Sequence, residues 1–125
     1  MPSPRRLLRP LCFLPLVVGS CTELAFEPVN VRPLDPPSVY RSWWAEVEAC
    51  ADVRAPFRRV TWFEADRLIN RKAGTEHVGA WCPPHTIYLD SERLLYEAGV
   101  KHEMLHDLLQ TRDHSSPLFK RCAGV

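Results

Sequence analysis

The sequence predicts an α+β fold in one folded domain of the 125-residue chain. Three observations lead to this prediction. A helical spacing of apolar residues begins after Ser38, short β-branched and aromatic runs occupy the middle of the chain, and a second helical pattern covers about 92–110. Strands that lie between helices in this way are typical of α+β domains. The charged fraction of 25% and the hydrophobic fraction of 46% are those of a folded globular protein.

Residues 1–20 are typical of an export signal. Three arginines precede a short apolar segment, Leu11 to Val18, whose eight residues are too few to span a bilayer of about 30 Å. Gly19 and Ser20 directly precede Cys21, and this arrangement resembles a bacterial lipobox, in which the cysteine is lipidated and becomes the new N-terminus. We therefore expect export to the bacterial cell envelope and a lipid anchor in a membrane. The alternative is an ordinary cleaved signal, which releases a soluble secreted or periplasmic protein.

Eight of the 12 prolines precede Ser38, and this uneven distribution separates the N-terminal region from the domain. Residues 21–37 show no sustained apolar period. We therefore expect the lipidated Cys21 to be followed by a proline-rich tether, which extends by about 3.1 Å per residue. The alternative is an N-terminal arm that packs on the domain itself. The domain is expected over 38–125.

The charge of the chain gives no electrostatic case for a nucleic-acid partner. The formal net charge is +1, from 16 basic and 15 acidic residues. Loss of the leader removes three arginines, which leaves 13 basic residues against 15 acidic ones and a net charge of −2. We therefore expect no nucleic acid among the partners of the mature protein.

The first element of the domain is an N-terminal helix that begins after Ser38, a residue suited to the N-cap position. Apolar side chains follow at spacings of three and four, which places most of them on one stripe of the helix. The residues of this stripe are Val39, Trp43, Trp44, Val47, Cys50 and Ala51.

Three strands are predicted between the helices. The segment 58–64 is β-branched and aromatic, 78–81 forms a second apolar run, and 85–89 follows two consecutive prolines. The polar stretch 66–75 is expected to be a loop with a turn at Gly74. These segments predict a small three-stranded sheet.

Two further helices are predicted after the sheet. A long helix is expected from about 92 to 110, with Asp90 or Ser91 as its cap. A short C-terminal helix is expected over about 116–122, because Pro117 suits the first position of a helix.

The residues most indicative of chemistry form an HExxH motif at 102–106 on the predicted long helix. Residues four apart lie on one helix face, so His102 and His106 can bind one metal ion. Glu103 is close enough to reach a metal-bound water without being a ligand itself. Zn²⁺ lowers the pKa of such a water toward about 7, and the carboxylate can accept its proton. The motif therefore predicts a zinc site with Glu103 as the general base.

A catalytic zinc site usually takes three protein ligands and a water. His114 lies eight residues after His106, beyond the predicted end of the helix, and a turn of the chain can return it to the ion. We therefore predict His114 as the third ligand. Asp107 and Asp113 are the alternative ligands. His77 and His85 are less favoured, because they precede the helix and lie on or beside the predicted strands.

The HExxH motif, followed by the run DHSSPLF at residues 113–119, resembles the zincin metallopeptidases. The nearest branch is that of the small SprT-like and YgjP-like proteins. The resemblance implies that His102, His106 and His114 bind zinc and that Glu103 is the general base.

The same resemblance implies a compact, minimal zincin-like domain. Its strand at 85–90 would then be the edge strand of the sheet, which pairs with an extended peptide substrate. The group that stabilises the transition state opposite the base is left open among Tyr88, His85 and Arg112.

Of the five cysteines, Cys12 is lost with the leader and Cys21 is the predicted lipidation site. An exported protein permits a disulfide between the remaining cysteines. We favour Cys50–Cys122, which ties the first helix to the last and contributes about 4 kcal/mol in the chain-entropy model. The alternative is Cys82–Cys122. With the favoured pairing, Cys82 is either free or buried beside its neighbouring tryptophan.

These observations predict a zinc metallopeptidase, a monomeric hydrolase that cleaves peptide bonds in the cell envelope while Glu103 activates a zinc-bound water. Its expected partners are a peptide or protein substrate and, through the lipid anchor, the membrane. One alternative is a non-catalytic zinc-binding envelope lipoprotein, whose metal holds a small fold together. Another is a metal-free interaction module with surface aromatic residues such as Trp43 and Trp62.

Overall fold

The protein is described here by a computed structural model, which covers residues 26–124. The predicted leader, residues 1–20, and the predicted lipidation site at Cys21 lie outside these residues. The predicted α+β class is confirmed, because helices pack against mixed sheets. None of the helices within residues 26–124 is both long enough and apolar enough to cross a membrane.

The elements follow one another along the chain with short connections. They are β1 (Phe26–Val29), β2 (Arg32–Pro33), α1 (Val39–Ala51), a 3-10 turn (Phe57–Arg59), β3 (Thr61–Ala65), β4 (Arg67–Asn70), β5 (Gly79–Cys82), β6 (Thr86–Asp90), α2 (Glu97–Leu109) and a C-terminal π-helical turn (Phe119–Ala123).

The main sheet has four strands in the order β2-β3-β6-β5. β3 and β6 are parallel, and the other two pairs are antiparallel. The sheet therefore contains the three predicted strands and one more, β2. The expectation that the strand at 85–90 is an edge strand is wrong, because β6 is paired on both sides and β5 forms the edge.

The predicted tether contributes strands to the folded unit from residue 26 onward. β1 pairs with β4, β2 pairs with β3, and the backbone N–H of Leu34 donates to the Trp62 carbonyl at 3.0 Å. Prolines are tolerated in these strands because each is paired on one side only. This part of the chain is therefore an N-terminal arm on the domain, which was the alternative to the tether.

The loop predicted over 66–75 contains a strand, β4, with a fully buried Leu68. Its flanking residues are polar, so the local pattern does not indicate a strand. Pairing with β1, which lies about 40 positions earlier in the chain, supplies its hydrogen bonds. A strand that is stabilised by so distant a partner cannot be predicted from the residues next to it in the sequence.

The predicted N-terminal helix is α1, and Ser38 precedes it without a side-chain capping bond. The helix packs its aromatic face into the core, where the Tyr40 hydroxyl donates to the Leu94 carbonyl at 2.6 Å. Trp43 and Trp62 are buried, at 9% and 4% exposure. The expectation of surface aromatic residues at these two positions is therefore wrong.

The helix that carries the HExxH motif is shorter than predicted. Asp90 does not cap it, because its carboxylate accepts the backbone N–H of Glu92 at 2.8 Å and organises a turn. α2 consequently begins at Glu97, about five residues later than expected, and ends at Leu109. The last predicted helix is the π-helical turn Phe119–Ala123, which begins two residues after Pro117.

The predicted disulfide between Cys50 and Cys122 is confirmed, with 5.7 Å between the two Cα atoms. It joins the end of α1 to the C-terminal turn. Cys82 is buried at the end of β5, as one of the two alternatives predicted, and it is not a free thiol.

Candidate metal centre

α2 places His102 and His106 one turn apart on the same face, with 3.1 Å between their Nε2 atoms. The Nε2 atom of His114 lies 3.1 Å from that of His102 and 3.0 Å from that of His106. The three predicted ligands therefore meet in one nearly equilateral triangle of nitrogen atoms, and together they can hold a metal ion.

A turn after α2 brings His114 back to the helix. Gln110 adopts a left-handed conformation with φ of 52°, and the backbone N–H of Thr111 donates to the His106 carbonyl. The Asp113 carboxylate then accepts the backbone N–H of Ser115 at 2.9 Å and its hydroxyl at 2.6 Å. These bonds lower the pKa of Asp113, and they fix the backbone on both sides of His114. Asp113 therefore organises the loop and is not among the clustered ligands.

The geometry of the triangle fits a metal ion better than mutual hydrogen bonds. The Nε2 atom of a neutral imidazole carries either one proton or one lone pair, so three such atoms cannot all bond to one another. Tetrahedral coordination of zinc, at about 2.0–2.1 Å from each nitrogen, separates the nitrogens by about 3.3 Å. The observed 3.0–3.1 Å separations are close to this value. A cation can thus satisfy three lone pairs that protein hydrogens cannot.

The surroundings keep the histidines in the form that binds metal. The Nδ1–H of His106 donates to the Thr111 carbonyl at 2.6 Å, which leaves the lone pair on Nε2. Burial lowers the pKa of His106, and it lowers the pKa of His102 to about 4, with the neighbouring histidines adding to the effect. Neutral imidazole is the ligand form, so these shifts favour metal binding near neutral pH.

Glu103 lies beside the triad and packs against the edge strand β5. It is 7% exposed, and burial raises its pKa to about 8. A Cβ atom added to Gly79 would lie 2.7 Å from the Glu103 Cγ atom. Only glycine therefore permits this approach of helix and strand.

A cavity of about 210 Å³ opens at the triad, and the three histidines and Glu103 contribute to its wall. A second cavity of about 290 Å³ shares His77, Gly79, His102 and Glu103 with the first. His77, a less favoured ligand in the sequence, thus lines both cavities and is not in the ligand cluster. No signal in its neighbours indicated this, because its place depends on how β5 packs against α2.

The three candidates for the transition-state donor occupy different places. Arg112 lines the cavity at the triad. Tyr88 lies elsewhere, stacked on Phe63 with 5.3 Å between ring centroids. The Nδ1 atom of His85 lies 3.0 Å from the Asp107 carboxylate. The cavity therefore favours Arg112.

Asp107, an alternative ligand in the sequence, is fully buried and is not in the ligand cluster. Its carboxylate accepts the Nε–H of Arg59 at 2.8 Å and the indole N–H of Trp81 at 3.1 Å. The Trp81 ring is in turn nearly parallel to the His106 ring, at 10°. Asp107 therefore fastens the ligand helix to β5 and to the 3-10 turn.

No protein-family model, no curated protein and no solved structure matches this chain. The resemblance to zincins stays a prediction, which rests on the residues quoted for it in the sequence.

Proposed function

We propose that this chain is a zinc-dependent metallopeptidase of the zincin type, with Glu103 as the general base. One observation carries the proposal: three converging histidine nitrogens lie beside a buried glutamate at the wall of an open cavity. Structural zinc sites are usually closed by four protein ligands, whereas catalytic sites keep one position open. Within residues 26–124, the cluster at this cavity has three ligands.

The residues around the cavity supply the remaining chemistry of peptide hydrolysis. His102, His106 and His114 would hold Zn²⁺, which would supply a Lewis acid for the scissile carbonyl and would lower the pKa of water. Glu103 takes the proton from the attacking water and passes it to the leaving amine. Arg112 lines the same cavity and is suited to stabilise negative charge on the carbonyl oxygen.

The cellular setting is proposed from the sequence of the leader. Export, lipidation of Cys21 and action on peptides or proteins of the cell envelope rest on the pattern in residues 1–21, which are outside the described residues. We also propose that the protein is a monomer.

The burial of the Glu103 side chain favours a second candidate function, that of a non-catalytic zinc-binding lipoprotein. Without a metal ion, burial raises the pKa of Glu103 to about 8, which disfavours the carboxylate form that a general base requires. Zinc would then only stabilise the small domain.

The experiment compares zinc content and peptide hydrolysis in wild type, Glu103→Gln and the control Glu97→Gln. Glu97 is an exposed residue of the same helix and pairs with Lys101. We expect Glu103→Gln to retain its zinc and to lose at least about 100-fold in rate, since general-base catalysis contributes about 10²–10⁴-fold. The control should retain the rate.

Two outcomes would contradict the proposal. If Glu103→Gln hydrolyses peptides at the wild-type rate, Glu103 is not the base. If wild type binds one zinc ion and cleaves no member of a broad peptide library, the non-catalytic candidate is the correct one.

A further inference from the structure

One aromatic side chain contacts all three candidate ligands. The ring centroid of Phe119 lies 5.0 Å from that of His102, 4.6 Å from that of His106 and 5.3 Å from that of His114. Phe119 is 3% exposed and belongs to the hydrophobic core. Its ring therefore forms a wall against which the three imidazoles are oriented.

The C-terminal turn that carries Phe119 is held by the disulfide. Phe119 is the first residue of this turn, and Cys122 follows three residues later. The bond from Cys122 to Cys50 fastens the turn to the end of α1. The turn also packs against α2, the helix that supplies the other two ligands. The disulfide and the ligand-supporting ring are thus about one turn apart.

His114 depends on this support more than the other ligands do. It lies in the segment 110–117, which has neither helix nor strand. The hydrogen bonds of this segment are mostly local, such as those between Asp113 and Ser115 or from Leu118 N–H to the Ser116 hydroxyl. Contact between His114 and Phe119, which is a core residue, connects this loop to the core.

We propose that Phe119 is a positioning residue for the metal ligands, and that the Cys50–Cys122 disulfide holds it in place. Metal affinity and the oxidation state of this disulfide are then coupled. The coupling is reciprocal, so bound metal also makes the disulfide harder to reduce. This inference rests on the metal binding in the proposed function and is independent of peptide hydrolysis.

The redox step is an ordinary thiol–disulfide exchange. Two equivalents of a small thiol, such as glutathione, supply two electrons and two protons. The S–S bond breaks to give the thiols of Cys50 and Cys122, and the small thiol is oxidised to its own disulfide.

The first test measures zinc affinity and the visible spectrum of bound Co²⁺ in Phe119→Leu and Phe57→Leu. Phe57 is a matched control, because it packs on Trp62 in the same core but away from the triad. We expect zinc affinity to fall at least about tenfold in Phe119→Leu, as for other residues that support metal ligands. The Co²⁺ bands should also shift, whereas Phe57→Leu should keep both properties. Unchanged affinity and spectrum in Phe119→Leu would overturn the positioning role.

The second test measures the reduction potential of the disulfide in wild type with and without saturating Zn²⁺. Glutathione buffers set the potential, and alkylation followed by mass spectrometry reads Cys50 and Cys122 separately from the other cysteines. A tenfold coupling lowers the potential by about 30 mV when zinc is bound. The double variant Cys50→Ser/Cys122→Ser should show the same tenfold loss of zinc affinity. If this variant does not fold, the reduction potential of the wild-type disulfide with and without zinc tests the coupling by itself.

The outcomes separate this inference from the proposed function. An equal potential with and without zinc, in a protein that binds zinc, overturns the coupling alone. A wild type that binds no zinc overturns the metal centre and the coupling together.

Discussion

His114 completes the triad from a segment without regular secondary structure, so single side chains decide whether the centre forms. His102 and His106 are related by one turn of α2 and remain close whenever the helix is folded. His114 reaches them only because the chain reverses at Gln110 and Asp113 fixes the following turn. The third ligand is therefore the most sensitive part of the centre.

Replacement of His114 by alanine should weaken zinc binding by more than about 100-fold, because the loss of a direct ligand exceeds the 10–100-fold effect of a supporting residue. Competition with a chromophoric chelator measures this affinity. His77→Ala is the control, since His77 lines the same cavity without belonging to the triad. Equal zinc affinity in His114→Ala and wild type would show that the third ligand is misassigned.

At the residue scale, site residues that lie close together in the chain could be predicted from the sequence. The HExxH spacing is a property of one helix, and His114 follows it closely in the chain. Gly79 was not identified as a site residue, and His77 was named only as a less favoured ligand, because each reaches the cavity wall through the packing of β5 on α2. A glycine in a short apolar segment does not indicate which helix will pack closely against it in the folded protein.

At the scale of elements, the edge strand β5 and the helix α2 approach each other more closely than any side chain at position 79 would permit. The Glu103 side chain fills the space that a Cβ atom would occupy. Asp107 fastens the same helix to the same strand through the Trp81 indole. The two contacts lie on α2 about one turn apart and hold the helix, with His102 and His106, at the sheet edge.

Gly79→Ala should destabilise the domain by about 1–3 kcal/mol, because the added methyl group overpacks the contact with Glu103. Urea unfolding measures the effect. In a Glu103→Ala background the methyl group finds space, so the same substitution should cost clearly less. Equal costs in the two backgrounds would mean that the close approach is not what requires glycine.

Helices and core strands were predictable because their apolar periods are local, as α1, β3 and β6 show. The strands β1, β2 and β4 were not predictable in this way, since they contain prolines or polar residues and are stabilised by partners distant in the chain. The start of α2 was misplaced because the Asp90 side chain serves a turn as readily as a helix cap.

At the scale of the whole molecule, a disulfide and a candidate metal site connect the elements around the small core of residues 26–124. The disulfide connects α1 to the C-terminal turn, and the candidate metal site connects α2 to the loop that precedes this turn. Phe119 lies between them. Small domains commonly need such crosslinks, because they bury a smaller share of their surface than large ones.

Zinc should therefore raise the melting temperature of the protein. A ligand at 100 times its Kd stabilises the folded state by about 2.7 kcal/mol. In a domain of this size, each kcal/mol raises the melting temperature by about 4–8 °C. Thermal unfolding of chelator-treated protein, with and without added zinc, measures the shift. The melting temperature of His114→Ala should not rise when zinc is added. An equal melting temperature of the wild type with and without zinc would contradict a stabilising metal site.

The Cys50–Cys122 bond also makes one covalent ring of the chain, and His102, Glu103, His106 and His114 all lie within it. The most accessible stretch of this ring is the exposed turn at 71–77, between β4 and β5. A protease that cuts there opens the ring but releases no fragment, because the disulfide still joins the two pieces. The segment with all the candidate ligands would stay attached to α1, so a single cut in this turn leaves one covalently connected molecule.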